Sequence, residues 1–368
     1  MNPPDITRRS FLFSIALSAC TRPRAPRYQG WLFVGSEAEK GIVVADLAEF
    51  KRVIAIPLGE APRSILVCPA GVFAACSSTQ TLYRIDPARP KITAKIGLPG
   101  TVAAMALLGE STTAAVLLDR PAALMTIDLA SGKTLSKVPL PAGLAPLAVA
   151  TTPDQVAVAA GRGILRFSPK SGALLGQTDV GSAPGPILFR NDALTILAGL
   201  PETREIVTLD AVTGDLLNRL PLAIAPRHFC FNPDGGQMFV TGSGLDALVI
   251  ANPYQNEIDQ TISAGHEPGA MAVQAQQNIL LVANPSNVTL LNIDTRRLAA
   301  TVAVNGLPGE ILVTPGGEYA LAVSQDSGDV SVIRLATVLD RKQRTKPVFT
   351  VFPTGGGLRS AAIVPLAR

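Results

Sequence analysis

A repeat of about 41 residues runs through this chain and restricts the folds that it can form. The repeat is marked by the end of an apolar run, at Asp46, Asp86, Asp128, Ser168, Asp210, Asn252, Asp294 and Leu335. A second marker follows the same period: a proline opens an apolar run at Pro62, Pro146, Pro184, Pro226, Pro268 and Pro308. Self-similarity with a fixed period of about 20 to 50 residues indicates repeated supersecondary units that stack on one another.

The sequence of each unit predicts four short strands. In the clearest unit, apolar runs cover 227–231, 237–241, 245–251 and 257–262. The turn Asn232-Pro233-Asp234-Gly235 separates the first two runs. Short runs rich in Val, Ile, Leu and Phe between Pro, Asp, Asn and Gly residues are typical of strands and turns. The sequence therefore predicts an all-β protein, and a four-stranded unit of this length predicts a β-propeller.

The two ends of the chain carry complementary parts of one unit. The chain begins with a second and a third strand, at 31–36 and 42–47, and ends with a fourth and a first, at 348–352 and 359–364. We therefore predict one domain over 31–368 with eight four-stranded blades, closed by the C-terminal strand joining the first blade. A seven-bladed ring is the alternative, and it would leave one unit outside the ring.

The N-terminal residues resemble an export signal. Arg8 and Arg9 resemble the twin-arginine motif, and the apolar residues 11–19 are too few to span a bilayer. Cys20 ends a sequence that resembles a bacterial lipobox, in which the cysteine is lipidated. We interpret 1–20 as a signal peptide and 21–30 as a basic, proline-rich tether. The expected location is periplasmic or at the cell surface, lipid-anchored to a membrane.

The charge of the chain argues against a nucleic-acid partner. The chain has 32 basic and 28 acidic residues, and residues 1–27 hold five of the former and one of the latter. The predicted propeller is thus neutral, and it lacks the basic surface that nucleic-acid binding requires. Three cysteines remain beside Cys20, namely Cys68, Cys76 and Cys230, and we interpret them as buried free thiols because they lie in apolar runs.

Several repeats resemble those of the bacterial YVTN-repeat propellers, a family related to the NHL-like propellers. The similarity rests on the Pro-Asp-Gly turn at 233–235 and on the segments 281–285, 291–294 and 330–333. The resemblance extends over 31–335 and implies a propeller fold, usually with seven blades. It implies no particular activity, and propellers have many unrelated functions.

Charged residues cluster where the chain enters the innermost strands of five consecutive units. These candidate ligand-binding residues are Arg63, Arg227, His228, His266, Glu267, Glu310 and Arg359. Arginines bind carboxylate and phosphate groups through two parallel hydrogen bonds, so this sector suits an anionic or amphipathic ligand. The alternative is that these residues solvate the mouth of the channel and pair with each other.

We therefore expect a binding or scaffold module for a protein or a small anionic ligand, monomeric and without catalysis, cofactor or metal. The first alternative is a lactonase-like hydrolase in which Glu267 or Glu310, with His228 or His266, activates water. The second is a haem- or quinone-associated periplasmic propeller. Quinoprotein repeats share recurring tryptophans, whereas Trp31 is the only tryptophan here. The chain has neither a phosphate-binding loop nor a nucleophile elbow.

Overall fold

The chain folds into eight four-stranded antiparallel sheets, each of which is one blade. The structure is a computed structural model that describes residues 28–339 and 348–366. Blade 1 begins with β1 (Gly30–Ser36), β2 (Gly41–Asp46) and β3 (Lys51–Pro57). The strands of blades 2, 3 and 4 are β4 (Ser64–Cys68), β5 (Gly71–Cys76), β6 (Thr81–Asp86) and β7 (Lys91–Gly97); β8 (Val102–Leu107), β9 (Thr113–Leu118), β10 (Ala123–Asp128) and β11 (Lys133–Pro139); and β12 (Pro146–Thr151), β13 (Val156–Ala160), β14 (Gly163–Phe167) and β15 (Leu174–Asp179).

The remaining strands complete the ring in the same order. Those of blades 5 and 6 are β16 (Ile187–Phe189), β17 (Thr195–Leu200), β18 (Glu205–Asp210) and β19 (Leu216–Pro221); and β20 (Ala225–Phe231), β21 (Met238–Ser243), β22 (Ala247–Asn252) and β23 (Glu257–Ser263). Those of blades 7 and 8 are β24 (Met271–Gln274), β25 (Ile279–Asn284), β26 (Asn287–Asn292) and β27 (Arg297–Ala303); and β28 (Pro308–Val313), β29 (Tyr319–Ser324), β30 (Asp329–Arg334) and β31 (Val348–Pro353). The last strand, β32 (Leu358–Pro365), joins blade 1. The helical segments are a 3-10 turn (Ala275–Gln277) and α1 (Leu335–Leu339).

The eight-bladed prediction is confirmed, and so is closure by the last strand. β32 pairs antiparallel with β1, with Trp31 opposite Val364 and Val34 opposite Ala361. The innermost strand of blade 1 is thus supplied by the other end of the chain. Closure in this way leaves no unpaired strand at the seam of the ring.

The repeated acidic marker has a local structural cause. Asp46 Oδ1 accepts a hydrogen bond of 2.7 Å from the Ala48 N–H, and Asp210 Oδ1 accepts one of 2.8 Å from the Val212 N–H. Asn252 Oδ1 accepts the equivalent bond from Tyr254 at 2.9 Å. Side chains of this kind favour tight turns because they bond to the backbone two residues ahead. The repeat therefore marks the turn between the third and fourth strands of a blade.

The hydrophobic core lies between neighbouring blades. At the junction of blades 8 and 1, Leu32 and Val34 of β1 pack with Leu321 and Val323 of β29. All four side chains are buried. The second and third strands of each blade are largely buried on both faces because each sheet packs against two others, which explains why they are apolar rather than alternating.

All of the predicted site residues lie towards one face of the ring, either in the loops that enter the innermost strands or near the start of those strands. Successive strands of a blade are antiparallel, so the turn after the second strand and the loop to the next blade lie on the same side. We call this side the entry face, because the chain enters each innermost strand there. β1 begins on the opposite face, the exit face.

The signal peptide, Cys20 and most of the tether lie outside the described residues, so those predictions remain predictions. In the part of the chain that the structure describes, no helix has the length and apolar character needed to cross a membrane.

The three remaining cysteines are free thiols. Cys76 is buried, and Cys68 and Cys230 are half-buried. Burial raises the pKa of the Cys76 thiol to about 12 and that of Cys230 to about 11. Both therefore stay protonated near neutral pH, where a thiol is a poor nucleophile.

Candidate functional site

Three cavities contain predicted site residues, and the one with the most of them lies on the entry face, between blades 6 and 7. Its volume is about 740 Å³. We call it the blade-6 cavity, and it is lined by Arg227, His228, Gly242, Ser243, Gly244, Leu245, Asp246, His266, Glu267, Pro268, Gly269, Pro285 and Leu307. Four of the seven predicted ligand-binding residues are in this set.

Arg227 and His228 reach this cavity from an irregular part of the innermost strand. In β20, Pro226 pairs with Gly242 and His228 pairs with Thr241, so Arg227 is an extra residue in a β-bulge. Similar shifts occur in β8, β12 and β28. Bulges redirect side chains and often occur beside functional sites. The residue that follows the repeated proline therefore occupies the bulge position in blades 4, 6 and 8.

Arg227 is a cation without a partner. It is exposed, and it forms no hydrogen bond or ion pair with any described residue. The pKa of the neighbouring His228 is lowered, mainly because surrounding protein desolvates the ring and secondly because the Arg227 charge opposes protonation. His228 is therefore neutral near pH 7, and its unprotonated ring nitrogen can accept a hydrogen bond or coordinate a metal.

His266 has the opposite electrostatic environment. Its Nδ1 lies 3.0 Å from Asp246 Oδ2. This hydrogen bond, followed by the attraction of the two charges, raises the pKa of His266. Asp246 Oδ1 also accepts a hydrogen bond of 2.9 Å from the Glu267 N–H, and this bond is the main cause of the lowered pKa of Asp246. Asp246 thus fixes both His266 and the backbone of Glu267.

Sequence reasoning missed Asp246. It lies in the turn between β21 and β22, whereas the predicted residues lie in or next to the loops that precede the innermost strands. Both kinds of loop lie on the entry face of a propeller. Inspection of the turns after each second strand would therefore have brought Asp246 into consideration.

Arg63 and Arg359 line a second cavity, of about 350 Å³, where blade 1 meets blade 2. We call it the seam cavity, because β32 closes the ring there. Its lining residues are Glu37, Lys40, Gly59, Glu60, Ala61, Arg63, Ser77 and Arg359. Arg63 also borders a third cavity, of about 290 Å³, between blades 2 and 3. Arg359 Nε donates to Glu37 Oε1 at 2.6 Å, so this predicted residue is already ion-paired.

Glu310 lines none of these three cavities and connects two blades. Its Oε2 accepts a hydrogen bond of 2.8 Å from the Ala361 N–H, which joins β28 of blade 8 to β32. Desolvation by the surrounding protein raises the pKa of Glu310 to about 7, although the Ala361 hydrogen bond opposes the shift. The seven predicted residues thus fall into groups of four, two and one.

Glu310 should make the stability of the ring depend on pH. The carboxyl has a higher pKa in the folded state than in the unfolded chain, so the folded state binds more protons between about pH 4.5 and 7. The free energy of unfolding should therefore decrease by about 2 kcal/mol as pH rises through this range. Thermal unfolding at pH 5.5 and pH 7.5 measures the effect. Glu310→Gln should abolish this component, and an unchanged pH dependence in the variant would contradict the assignment.

No cluster of three or more His, Cys, Asp or Glu side chains suited to a metal ion occurs among residues 28–339 and 348–366.

The Asp326-Ser327-Gly328-Asp329 segment is a hairpin turn in which Asp326 accepts hydrogen bonds from Ser324 Oγ and the Leu307 N–H. These bonds lower the pKa of Asp326 to about 2. Asp326 thereby fixes the loop that leads into blade 8.

Comparison with known proteins supports the fold and leaves the family open. No model of a known protein family matches the chain, and no curated protein sequence matches it significantly. The fold is similar to that of the dihydro-heme d1 dehydrogenase NirN in complex with DHE. The TM-score is 0.76 at 15% identity, over 94% of this chain and 78% of that chain.

A second solved structure shows a weaker similarity. Hydrazine synthase of Kuenenia stuttgartiensis superposes with a TM-score of 0.58 at 14% identity, over 75% of this chain and 98% of that chain. Both identities are low enough that the comparison concerns the fold alone. The protein is an eight-bladed β-propeller.

Proposed function

We propose that this protein is a binding module that holds an anionic small molecule in the blade-6 cavity. The observation that carries the proposal is Arg227, a guanidinium that lines a cavity of about 740 Å³ and has no partner among the described residues. Ligand sites commonly have volumes of about 300 to 1,000 Å³. An anion would supply the missing partner through charge-assisted hydrogen bonds.

The rest of the lining supports a ligand with both polar and apolar parts. Leu245, Pro285 and Leu307 contribute apolar surface to the cavity. Arg227 and, when protonated, His266 contribute positive charge, whereas Asp246 and Glu267 contribute negative charge, of which that of Asp246 is paired with His266. We infer an amphipathic carboxylate or phosphate, whose charged group lies beside Arg227 and whose apolar body contacts the leucines.

A tetrapyrrole with carboxylate side groups is a second candidate ligand. The fold similarity to NirN, which is named a dihydro-heme d1 dehydrogenase, favours it, and the donor set is compatible. His228 is kept neutral, as a metal ligand must be, and Arg227 suits a carboxylate. An iron tetrapyrrole would supply redox chemistry, whereas these residues would hold and orient it.

The hydrolase alternative uses the same cavity. Glu267 and His266 both line it, and either group would accept a proton from water. Glu310 lies outside this cavity, so it would take no part in such a reaction. Turnover of a lactone, lost in Glu267→Gln with binding retained, would favour the hydrolase over the binding module.

We also propose that the protein is exported and lipid-anchored through Cys20, as a member of the YVTN-like propellers. The support is the order of arginine pair, apolar run and lipobox-like cysteine in the sequence. Because β1 begins at the exit face, a lipid on Cys20 would anchor the propeller to the membrane from the side opposite the entry-face cavities.

Arg227→Ala should weaken anion binding by about tenfold or more, since it removes a charge-assisted contact. Isothermal titration calorimetry with citrate and absorbance titration with ferric protoporphyrin IX measure the two ligand classes. His228→Ala should affect the porphyrin more than citrate if the ring coordinates iron.

Arg297→Ala is the matched control, because Arg297 is an exposed arginine on the outer strand β27, away from the cavity. It makes the same change in net charge and should leave both affinities unchanged. Equal losses in Arg227→Ala and Arg297→Ala would show that only the overall charge matters and would overturn the proposal.

A further inference from the structure

We propose that the seam cavity is a second anion-binding site, separate from the blade-6 cavity, for a small ligand that carries phosphate or several carboxylate groups. The cavity is formed by the turn between β1 and β2, the loop from β3 to β4 and the closing strand β32. The ligand would therefore contact both ends of the chain at the point where the ring closes.

Both carboxylates of this cavity have hydrogen-bonding or ionic partners within the protein. Glu37 is ion-paired with Arg359. Glu60 accepts hydrogen bonds from Ser78 Oγ at 2.8 Å and from the Thr79 N–H at 3.0 Å. Arg359 neutralises Glu37, whereas Glu60 keeps its negative charge, so the three basic and two acidic side chains of the cavity leave one net positive charge.

Two cations of the cavity have unused donors. Arg63 Nε donates to the Ala103 carbonyl oxygen at 2.6 Å, which fixes the guanidinium, while its two terminal nitrogens have no partner among the described residues. The Lys40 ammonium likewise has no partner among them. A guanidinium anchored at Nε and open at both Nη atoms presents the paired donors that bind phosphate or carboxylate oxygens.

The backbone leaves the cavity open between these groups. Gly59 has a φ of 93°, a conformation that side-chain-bearing residues rarely adopt. A Cβ atom there would approach only the Thr79 methyl group, at 3.9 Å. The volume of about 350 Å³ suits a molecule of the size of pyrophosphate or citrate better than a macrocycle.

Titration calorimetry of the full chain with inorganic pyrophosphate and with citrate, at low salt, tests the site. Arg63→Ala and Lys40→Ala should each weaken binding at the seam by about tenfold. Glu37→Gln should strengthen it several-fold, because it releases Arg359 without removing the hydrogen-bonding group. Stronger binding of pyrophosphate would identify a phosphate ligand, and stronger binding of citrate a polycarboxylate.

Arg227→Ala is the control that separates the two sites, since it changes only the blade-6 cavity and should leave seam binding intact. Loss of all binding in Arg227→Ala would show a single site and overturn the proposal. Absence of binding of either probe at millimolar concentration would overturn it as well. Unchanged affinity in both Arg63→Ala and Glu37→Gln would also overturn the proposal. Glu37→Gln keeps the test valid if Arg63→Ala folds poorly.

Discussion

A protein that lacks residues 358–368 is expected to lose cooperative folding as a monomer. This deletion removes β32 and with it the full ladder to β1. It also removes Leu358 and Val364, which are 7% and 4% exposed. Each such side chain contributes about 1.5–3 kcal/mol by burial, in a domain whose net stability is about 5–15 kcal/mol.

The exposed edge of β1 adds a second effect. Without β32, the N–H and C=O groups of residues 30–36 on that side have no partner, and an unpaired edge promotes association with other chains. The packing of blades 8 and 2 against the closing strand is lost at the same time. We expect a broad or absent thermal transition and oligomers in size-exclusion chromatography.

Two single substitutions accompany this deletion. Val364→Asp places a charge at the same buried position and should reproduce much of the loss. Arg359→Ala changes an exposed residue of the same strand and should alter the melting temperature little. A truncated protein that remains monomeric, with the melting temperature of the intact chain, would contradict the prediction that β32 stabilises the ring.

Gly242→Ala is expected to be the most damaging single methyl addition near the blade-6 cavity. A Cβ atom at Gly242 would overlap the Ala225 carbonyl oxygen and press against the Pro226 Cα. These are backbone atoms of β20, so they cannot rotate away as a side chain would. Overpacking of this kind costs about 1–3 kcal/mol and more when backbone must move.

The displaced segment is the one that holds Arg227. Because Gly242 pairs with Pro226, the variant should shift the bulge and weaken anion binding together with stability. Thermal unfolding and the citrate titration, measured on the same sample, test both effects.

Gly97→Ala is the matched control. Gly97 ends β7, and a Cβ there would meet no atom within 4 Å. Its backbone lies outside the left-handed region, so alanine should be neutral or slightly stabilising, by up to about 1 kcal/mol. Similar losses in both variants would show that the close approach at Gly242 is not the cause.

The blade count and the closure of the ring follow from the sequence because local interactions encode them. Asp46, Asp210 and Asn252 each bond to the backbone two residues ahead, so the marker and the turn that it forms are neighbours in sequence. The period of these turns gives the number of blades. The incomplete units at the two ends then require that the last strand complete the first blade.

The candidate site could be placed only in part. The entry loops of five blades identified all seven predicted residues as members of one face, since a propeller brings equivalent loops to the same side. The division of six of these residues among three cavities could not be predicted in this way. It depends on how the entry loops pack against each other, and the repeat carries no information about this.

The contacts that define each cavity join distant parts of the chain. Asp246 binds His266 across twenty residues, and Glu37 binds Arg359 across 322. Such pairs form because blade packing brings the turns together, after which charge and hydrogen bonding select the partners. The sequence alone therefore determined an eight-bladed ring and the face that bears the charged loops. Only the tertiary structure decided which cations are neutralised by protein carboxylates and which, like Arg227 and Arg63, keep donors free for a ligand.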